Sequence, residues 1–331
     1  MTEYDRPYLN FEEQVALMAS RGLDCSGCDA AAALSRIGYY RLSAYTYVFR
    51  EPLALDKQSD TPWQYRSAAF MPGYKLNHAL DLYKFDQGLR LLCLEALKTL
   101  EVGLRVQVAY VLGKRDRFGH SNREALDPDA CAKPARDRDG DMFDYWLRRY
   151  HELKRQAQSE DFVRHYTLKY NDKLPVWVAV EVMDFGAITR LFSLLNRNDQ
   201  NTIARQWGVK DGRTLHTWLL VLGNLRNICA HHSRLWNKHL TYDAGRINPN
   251  IVESDLAHVT SELNSKKVYL PLALIAYLVV RIDPTSNWPR ALRTKVKQKF
   301  PDVPGVSAAS DMDFPEGWEN EALWNYQPAR G

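Results

Sequence analysis

The feature that most constrains the fold is the unbroken run from Leu76 to Leu112. Leu80, Tyr83, Leu89, Leu92, Ala96, Leu100, Leu104, Val108 and Val111 return at three- and four-residue steps, with no proline before Gly113. That period lays an apolar stripe along one side of an α-helix, so one long helix or two in tandem is expected here. Within it Glu101 and Arg105 stand four apart on one face, the spacing of an intrahelical ion pair that would steady the bundle.

Other segments repeat the pattern in shorter pieces. Phe11, Val15, Leu17 and Met18 form a stripe that stops at Gly22, and helical character returns from Phe143 to about Tyr170. After the Lys173-Leu174-Pro175 punctuation come Val176, Val180, Met183, Ile188, Leu191 and Leu195. Asp211 suits the N-cap of a further helix carrying Leu215, Leu219, Leu222 and Leu225, and residues 252–263 and 268–282 supply two more. Residues 52–73 read as a loop, and the charged stretch that follows Gly113 reads as a flexible insertion. Period-two alternation is almost absent, so the expected fold class is all-α.

At 331 residues the chain exceeds what one hydrophobic core usually spans. The expected organisation is an N-terminal helical and aromatic region over 1–73, then a helical bundle over 74–300 with a loop-rich insertion at about 113–145. A tail over 301–331 is expected to pack on the body through Trp318 and Trp324. With 45% hydrophobic and 25% charged residues the composition is that of a folded globular protein. A net charge of +4 is compatible with nucleic acid without requiring it.

Five cysteines, an odd number in a chain of this length, favour a reducing compartment over a disulfide framework. The pair Cys25 and Cys28 has no second ligand pair at zinc-site distance, so no metal is expected. The first residues lack the basic and apolar regions of a signal peptide, and the apolar run Val268–Ile282 is too short to span a bilayer. A cytoplasmic protein without a membrane partner is expected.

Aromatic and basic residues interleave in Ile37–Arg50, where Arg41 is a candidate RNA contact. The alternative, and the stronger reading, is that Tyr39, Tyr45 and Phe49 are core and the arginines alone meet water.

The segment Leu225–Asn237 stands apart. Arg226, Asn227, His231, His232, Arg234 and Asn237 cluster at the end of an otherwise apolar helix. Polar groups there can be plain capping and surface. They also suit RNA cleavage by internal transesterification, in which the ribose 2′-OH attacks the adjacent phosphate. Histidine, with an unperturbed pKa near ~6.5, can take or give a proton near neutral pH. Arginine offers a planar donor fork to phosphate oxygens. No metal or cofactor is required, and DNA, lacking the 2′-OH, is excluded as substrate. Five positions separate Arg226 from His231, roughly 140° around an ideal helix. Either the helix turns near Cys229, or two copies of the motif meet across a symmetric dimer.

Arg226 with His231 or His232 resembles the R-x4-6-H signature of HEPN ribonucleases, and the longer string Arg-Asn-x-x-Ala-His-His-x-Arg-Leu-Trp-Asn resembles its abortive-infection (Abi) version. Similar blocks recur in order: Ile37–Ser43, Tyr83–Asp86 with Glu101–Arg105, Leu174–Trp177 with Glu181–Gly186, and Phe314–Trp318 with Leu323-Trp324. The resemblance implies an α-helical HEPN bundle, usually a homodimer, that acts as a metal-independent endoribonuclease toxin in phage defence or a toxin–antitoxin pair. An RNA or protein antitoxin is then a possible partner. Residue by residue, it implies Arg226 as the phosphate-binding or catalytic arginine, Asn227 as the polar residue after it, and His231, or else His232, as the catalytic histidine. Arg234 and Asn237 become RNA contacts or supports for Trp236. A non-catalytic HEPN module that binds RNA or a partner protein is the second reading.

Overall fold

The computed structural model describes residues 5–60, 63–135, 140–259 and 266–329. The described residues are mostly helical, with two small antiparallel ribbons as the only paired strands among them. The chain divides into two compact units. One comprises residues up to 89 with 295–311, and the other 90–294 with the residues from 312 onward.

In the first unit, α1 (Phe11–Ser20) starts at a capping box. The Asn10 side chain accepts from the Glu13 amide while Glu13 reaches back to the Asn10 amide, satisfying two donors that the first turn leaves open. α2 (Ala30–Ile37) packs against α1 and gives way at Gly38, whose φ of 86° is left-handed, to α3 (Tyr39–Thr46). Tyr45 and Phe49 are buried, as the core reading of the aromatic stretch expects, while Tyr39 is half-buried. The Tyr45 hydroxyl donates to the fully buried Asp86 carboxylate at 2.7 Å. Residues 52–73, expected to be loop, instead hold strands. β1 (Arg50–Pro52) pairs with β4 (Arg66–Phe70), and β2 (Ser59–Asp60) pairs with β3 (Trp63–Gln64). Strands of two to five residues are too short to write a legible alternation.

α4 (Leu76–Gly113) is one continuous helix, the single-helix form of the two expected, and its residues belong to both units. In the second unit its buried side includes Cys93, Ala96, Leu100, Leu104, Val108 and Leu112. The segment after Gly113 is not loose where it is described. Two 3-10 turns and the short helix α5 (Pro128–Cys131) bury His120, Leu126 and Cys131. The helical character expected over 143–170 takes the form of two helices, α6 (Met142–Gln156) and α7 (Asp161–Lys169), interrupted at 157–160. The stretch from Val176 is likewise divided. A short α8 (Val176–Ala179) and a 3-10 turn precede α9 (Phe185–Leu194), because Asp184 caps a new helix by accepting from the Ala187 amide at 2.7 Å.

α10 (Arg197–Gln206) was not expected, since its sequence is almost wholly polar and writes no apolar stripe. α11 (Gly212–Ala230) starts at Asp211 as expected. It packs against α9, α10 and α12 (Tyr269–Ile282), whose residues from Tyr269 to Val280 are all buried. Pro271 is tolerated because it sits in the first turn, where its missing N–H breaks no helical bond. The helix expected over 252–263 is corrected: 252–259 contain only a 3-10 turn at Ser254–Leu256, and 260–263 lie outside the described residues. α13 (Trp288–Lys299) and α14 (Ala308–Met312) follow. Trp318 and Trp324 anchor the tail as expected, meeting edge to face at 5.4 Å beside Tyr269 and Phe314. No helix among the described residues is long and apolar enough to cross a membrane.

Candidate active site

The motif helix α11 is fixed from both ends. At its start Asp211 accepts from the Thr214 amide and hydroxyl, each at 3.0 Å. Along its length Leu215, Trp218, Leu219, Leu222, Leu225 and Cys229 are buried and set the rotation of the helix about its axis. That rotation leaves Arg226 half-buried and Asn227 exposed.

At its end the helix stops by a Schellman turn. The His232 amide donates to the Cys229 carbonyl at 3.1 Å, and the Ser233 amide donates to the Ile228 carbonyl at 3.0 Å. The turn needs one left-handed residue, a place glycine usually fills, and here His232 takes it with φ 56°. His231 is the C-cap, and both imidazoles are exposed. Of the two geometric alternatives left by the sequence, a turn does occur, centred on His231 and His232 just beyond Cys229. It still does not join the pair: among the described residues Arg226 bonds to neither histidine.

Arg226 instead meets α4. Its Nη2 lies 3.9 Å from Glu101 Oε2, and its Nη1 donates to Asn227 Oδ1 at 3.4 Å. The other oxygen of Glu101 accepts from Arg105 at 2.6 Å, and Arg105 also donates to the Met183 carbonyl at 2.5 Å. Glu101 and Arg105 thus form the pair their spacing suggests, and Glu101 does more by facing two guanidinium groups. Sequence reasoning missed that second role, since nothing in spacing relates residue 101 to residue 226. It also missed Asp184, whose second oxygen accepts from Arg149 at 2.6 Å and so links α6 to the start of α9. The block Glu181–Gly186 was the available signal.

Leu235 and Trp236 are fully buried just after the turn, with Arg234 and Asn237 partly covered on either side and Asn237 Oδ1 buried without a hydrogen-bond partner. Arg41 is exposed on α3 and belongs to the first unit, whereas every other candidate belongs to the second. No cluster of three metal-ligating side chains occurs among the described residues.

Beside the motif the second unit opens into a cleft of about 1240 Å³ that reaches Asn224 and Asn227. Lys133, Arg190, Arg197 and Arg213 line it against the carboxylates of Asp127 and Asp129, four positive charges to two negative. His216 also lines it. Burial pushes its pKa down, and the nearby Arg190 and Lys133 push it further, so the ring there is neutral near pH 7.

The second unit thus brings a half-buried arginine and two exposed histidines to one helix end, beside a cleft whose charged lining is net positive. Residues 32–237 match the family model of Abi-like proteins, and the chain belongs to that family, whose name points to abortive infection, a form of phage defence. No match was found among curated proteins or among solved structures.

Proposed function

We propose that this protein is a metal-independent endoribonuclease of the HEPN type, acting as the toxin of an abortive-infection or toxin–antitoxin system. The observation that carries the reading is the state of Arg226: its guanidinium is oriented by Glu101 yet 35% exposed, on the helix whose cap bears His231 and His232. Orientation without burial is what a phosphate-binding arginine needs, because its remaining donors stay available.

In the proposed reaction a histidine takes the proton of the ribose 2′-OH as the 2′-oxygen bonds to phosphorus. The bond from phosphorus to the 5′-oxygen breaks, and that oxygen is protonated as it leaves. The products are a 2′,3′-cyclic phosphate and a free 5′-hydroxyl, with no redox change. Since Arg226 does not bond to either histidine of its own chain, a second copy supplying the complementary group is part of the proposal. Val102, Val106 and Tyr110 are exposed apolar residues on α4, the helix that also carries Glu101, and offer such a copy a surface to pack on. A toxin of this kind also needs a silencing partner, an RNA or a protein.

The test is cleavage of labelled RNA in EDTA by wild type, Arg226→Ala and His231→Ala, with the ends of the products identified. Cleavage that both substitutions abolish, leaving cyclic phosphate ends, supports the reading. Loss of cleavage and of dimer mass together in Val106→Asp supports the composite site. Equal RNA binding by all three proteins with no cleavage under activating conditions overturns catalysis in favour of a binding module.

A further inference from the structure

We infer that the cleft between α9 and α11 is the seat of the RNA strand, taking a few unpaired nucleotides whose phosphates lie on its basic rim and one of whose bases or ribose hydroxyls reaches its floor. This rests on the RNase reading for the identity of the polymer, but the cleft argues for itself.

Its floor carries two polar atoms with nothing to bond. Thr189 is 3% exposed, and its Oγ1 has no hydrogen-bond partner; Asn224 Oδ1 is buried and likewise unmatched. Leaving such atoms dry and unpaired is costly, a cost that a fold retains when a ligand supplies the partners. An amide oxygen seeks a donor, and a hydroxyl can give or accept. Together they suit a base edge or a 2′-hydroxyl.

The rim has the opposite character. Among the described residues Lys133, Arg190 and Arg213 have no carboxylate partner, and Arg197 has only Asp211 at 3.7 Å. Of the two carboxylates, Asp127 is engaged in capping α5, accepting from the Ala130 amide at 2.8 Å. The Arg190 guanidinium lies 4.6 Å from the centroid of the Tyr145 ring, a planar pair on which a base can stack.

Size selects among phosphate-bearing ligands. The cleft exceeds the roughly 300–1,000 Å³ of ordinary small-molecule sites, so a single nucleotide leaves much of it unfilled. Position selects again. Asn224 and Asn227 lie on the same helix as Arg226, so a strand in the cleft is led along α11 toward the motif.

The test uses the full-length protein carrying His231→Ala, so that RNA stays intact, and a short unstructured labelled RNA followed by fluorescence anisotropy across a salt series. Arg190→Ala with Arg213→Ala should weaken binding at least tenfold and flatten the salt dependence by about 0.7 in slope for each phosphate that is no longer neutralised. Lys57→Ala, outside the cleft, should bind as the parent does. Thr189→Val should weaken binding several-fold while leaving thermal stability equal or higher, since it removes an unmatched hydroxyl. A merely structural threonine would show no binding loss.

Cleft variants that bind like the parent, while the protein with His231 restored cuts RNA, overturn the cleft and leave the RNase reading standing. Cleft-dependent binding without cleavage by any form keeps the cleft and overturns the RNase reading. A mononucleotide that competes as well as the oligonucleotide overturns the strand in favour of a small-nucleotide site. Absence of all RNA binding overturns the cleft outright.

Discussion

Glu101 divides its carboxylate between two arginines, giving one oxygen to Arg105 at 2.6 Å and turning the other toward Arg226 at 3.9 Å. The first contact lies within α4 and the second crosses to α11, so a single side chain couples the bundle's internal ion pair to the candidate phosphate-binding group. Both halves of the Glu101–Arg105 pair are largely covered, with side chains 14% and 18% exposed.

Glu101→Ala should therefore lower stability by about 2–3 kcal/mol, below the ~3–5 of a fully buried pair because Arg105 keeps the Met183 carbonyl. Glu101→Gln keeps the shape and should fold nearly as well, yet it releases Arg226. Denaturant titration beside RNA cleavage separates the two effects. About a tenfold loss of cleavage in Glu101→Gln with a small stability change supports the coupling, whereas stability loss with full cleavage restricts Glu101 to the bundle.

The two histidines can be distinguished by the backbone. His232 stands in the left-handed region that costs an ordinary residue about 1–2 kcal/mol. His232→Gly should keep the Schellman turn and raise stability by about 1 kcal/mol. If cleavage survives in that variant, His231 is the catalytic histidine. If cleavage is lost from a more stable protein, His232 is.

His120 predicts acid sensitivity. Burial holds its pKa down to about 4, and its ring packs edge to face on Tyr150 at 4.8 Å. The unfolded chain takes up a proton near ~6.5, the folded chain only near 4. The stabilisation from the neutral ring is thus complete above ~6.5 and is lost as pH falls toward 4, on the order of 3 kcal/mol over that window. In His120→Phe the midpoint of thermal unfolding should fall less between pH 7 and pH 4, measured by circular dichroism, than in wild type.

The tail anchor is testable without RNA. Trp324 is fully buried and donates from Nε1 to the Tyr269 hydroxyl at 3.1 Å. Trp324→Ala should cost about 3–5 kcal/mol. Trp324→Phe keeps most of the packing and should cost less. Equal losses for both would mean that the hydrogen bond, rather than the ring, holds the tail.

The parts of the fold legible in the sequence were those where burial dictates every third or fourth residue. α4 and α11 show their stripes because each is covered along one side, and Asp211 announces itself because a capping side chain must sit directly before the first turn. α10 was illegible because few of its residues, among them Ile203 and Ala204, reach the core. The division after Val176 was illegible because a capping aspartate in mid-stretch, Asp184, looks like any surface charge until its partner amide is seen. For the site the string from Arg226 to Asn237 could be read directly. The cleft could not, since Lys133, Arg190 and Arg213 come from separate segments and only folding gathers them.

Because α11 ends at Ala230 and the chain reverses its hand at His232, the number of residues between Arg226 and the histidines is also an angular setting. One residue inserted inside the helix would swing everything beyond it by about 100° and advance it by about 1.5 Å, whereas one inserted after Ser233 would leave Arg226 and both rings where they are. Tolerance to insertions and deletions should therefore change abruptly at Ser233, and relatives that differ in motif spacing should be found to end this helix at correspondingly different points.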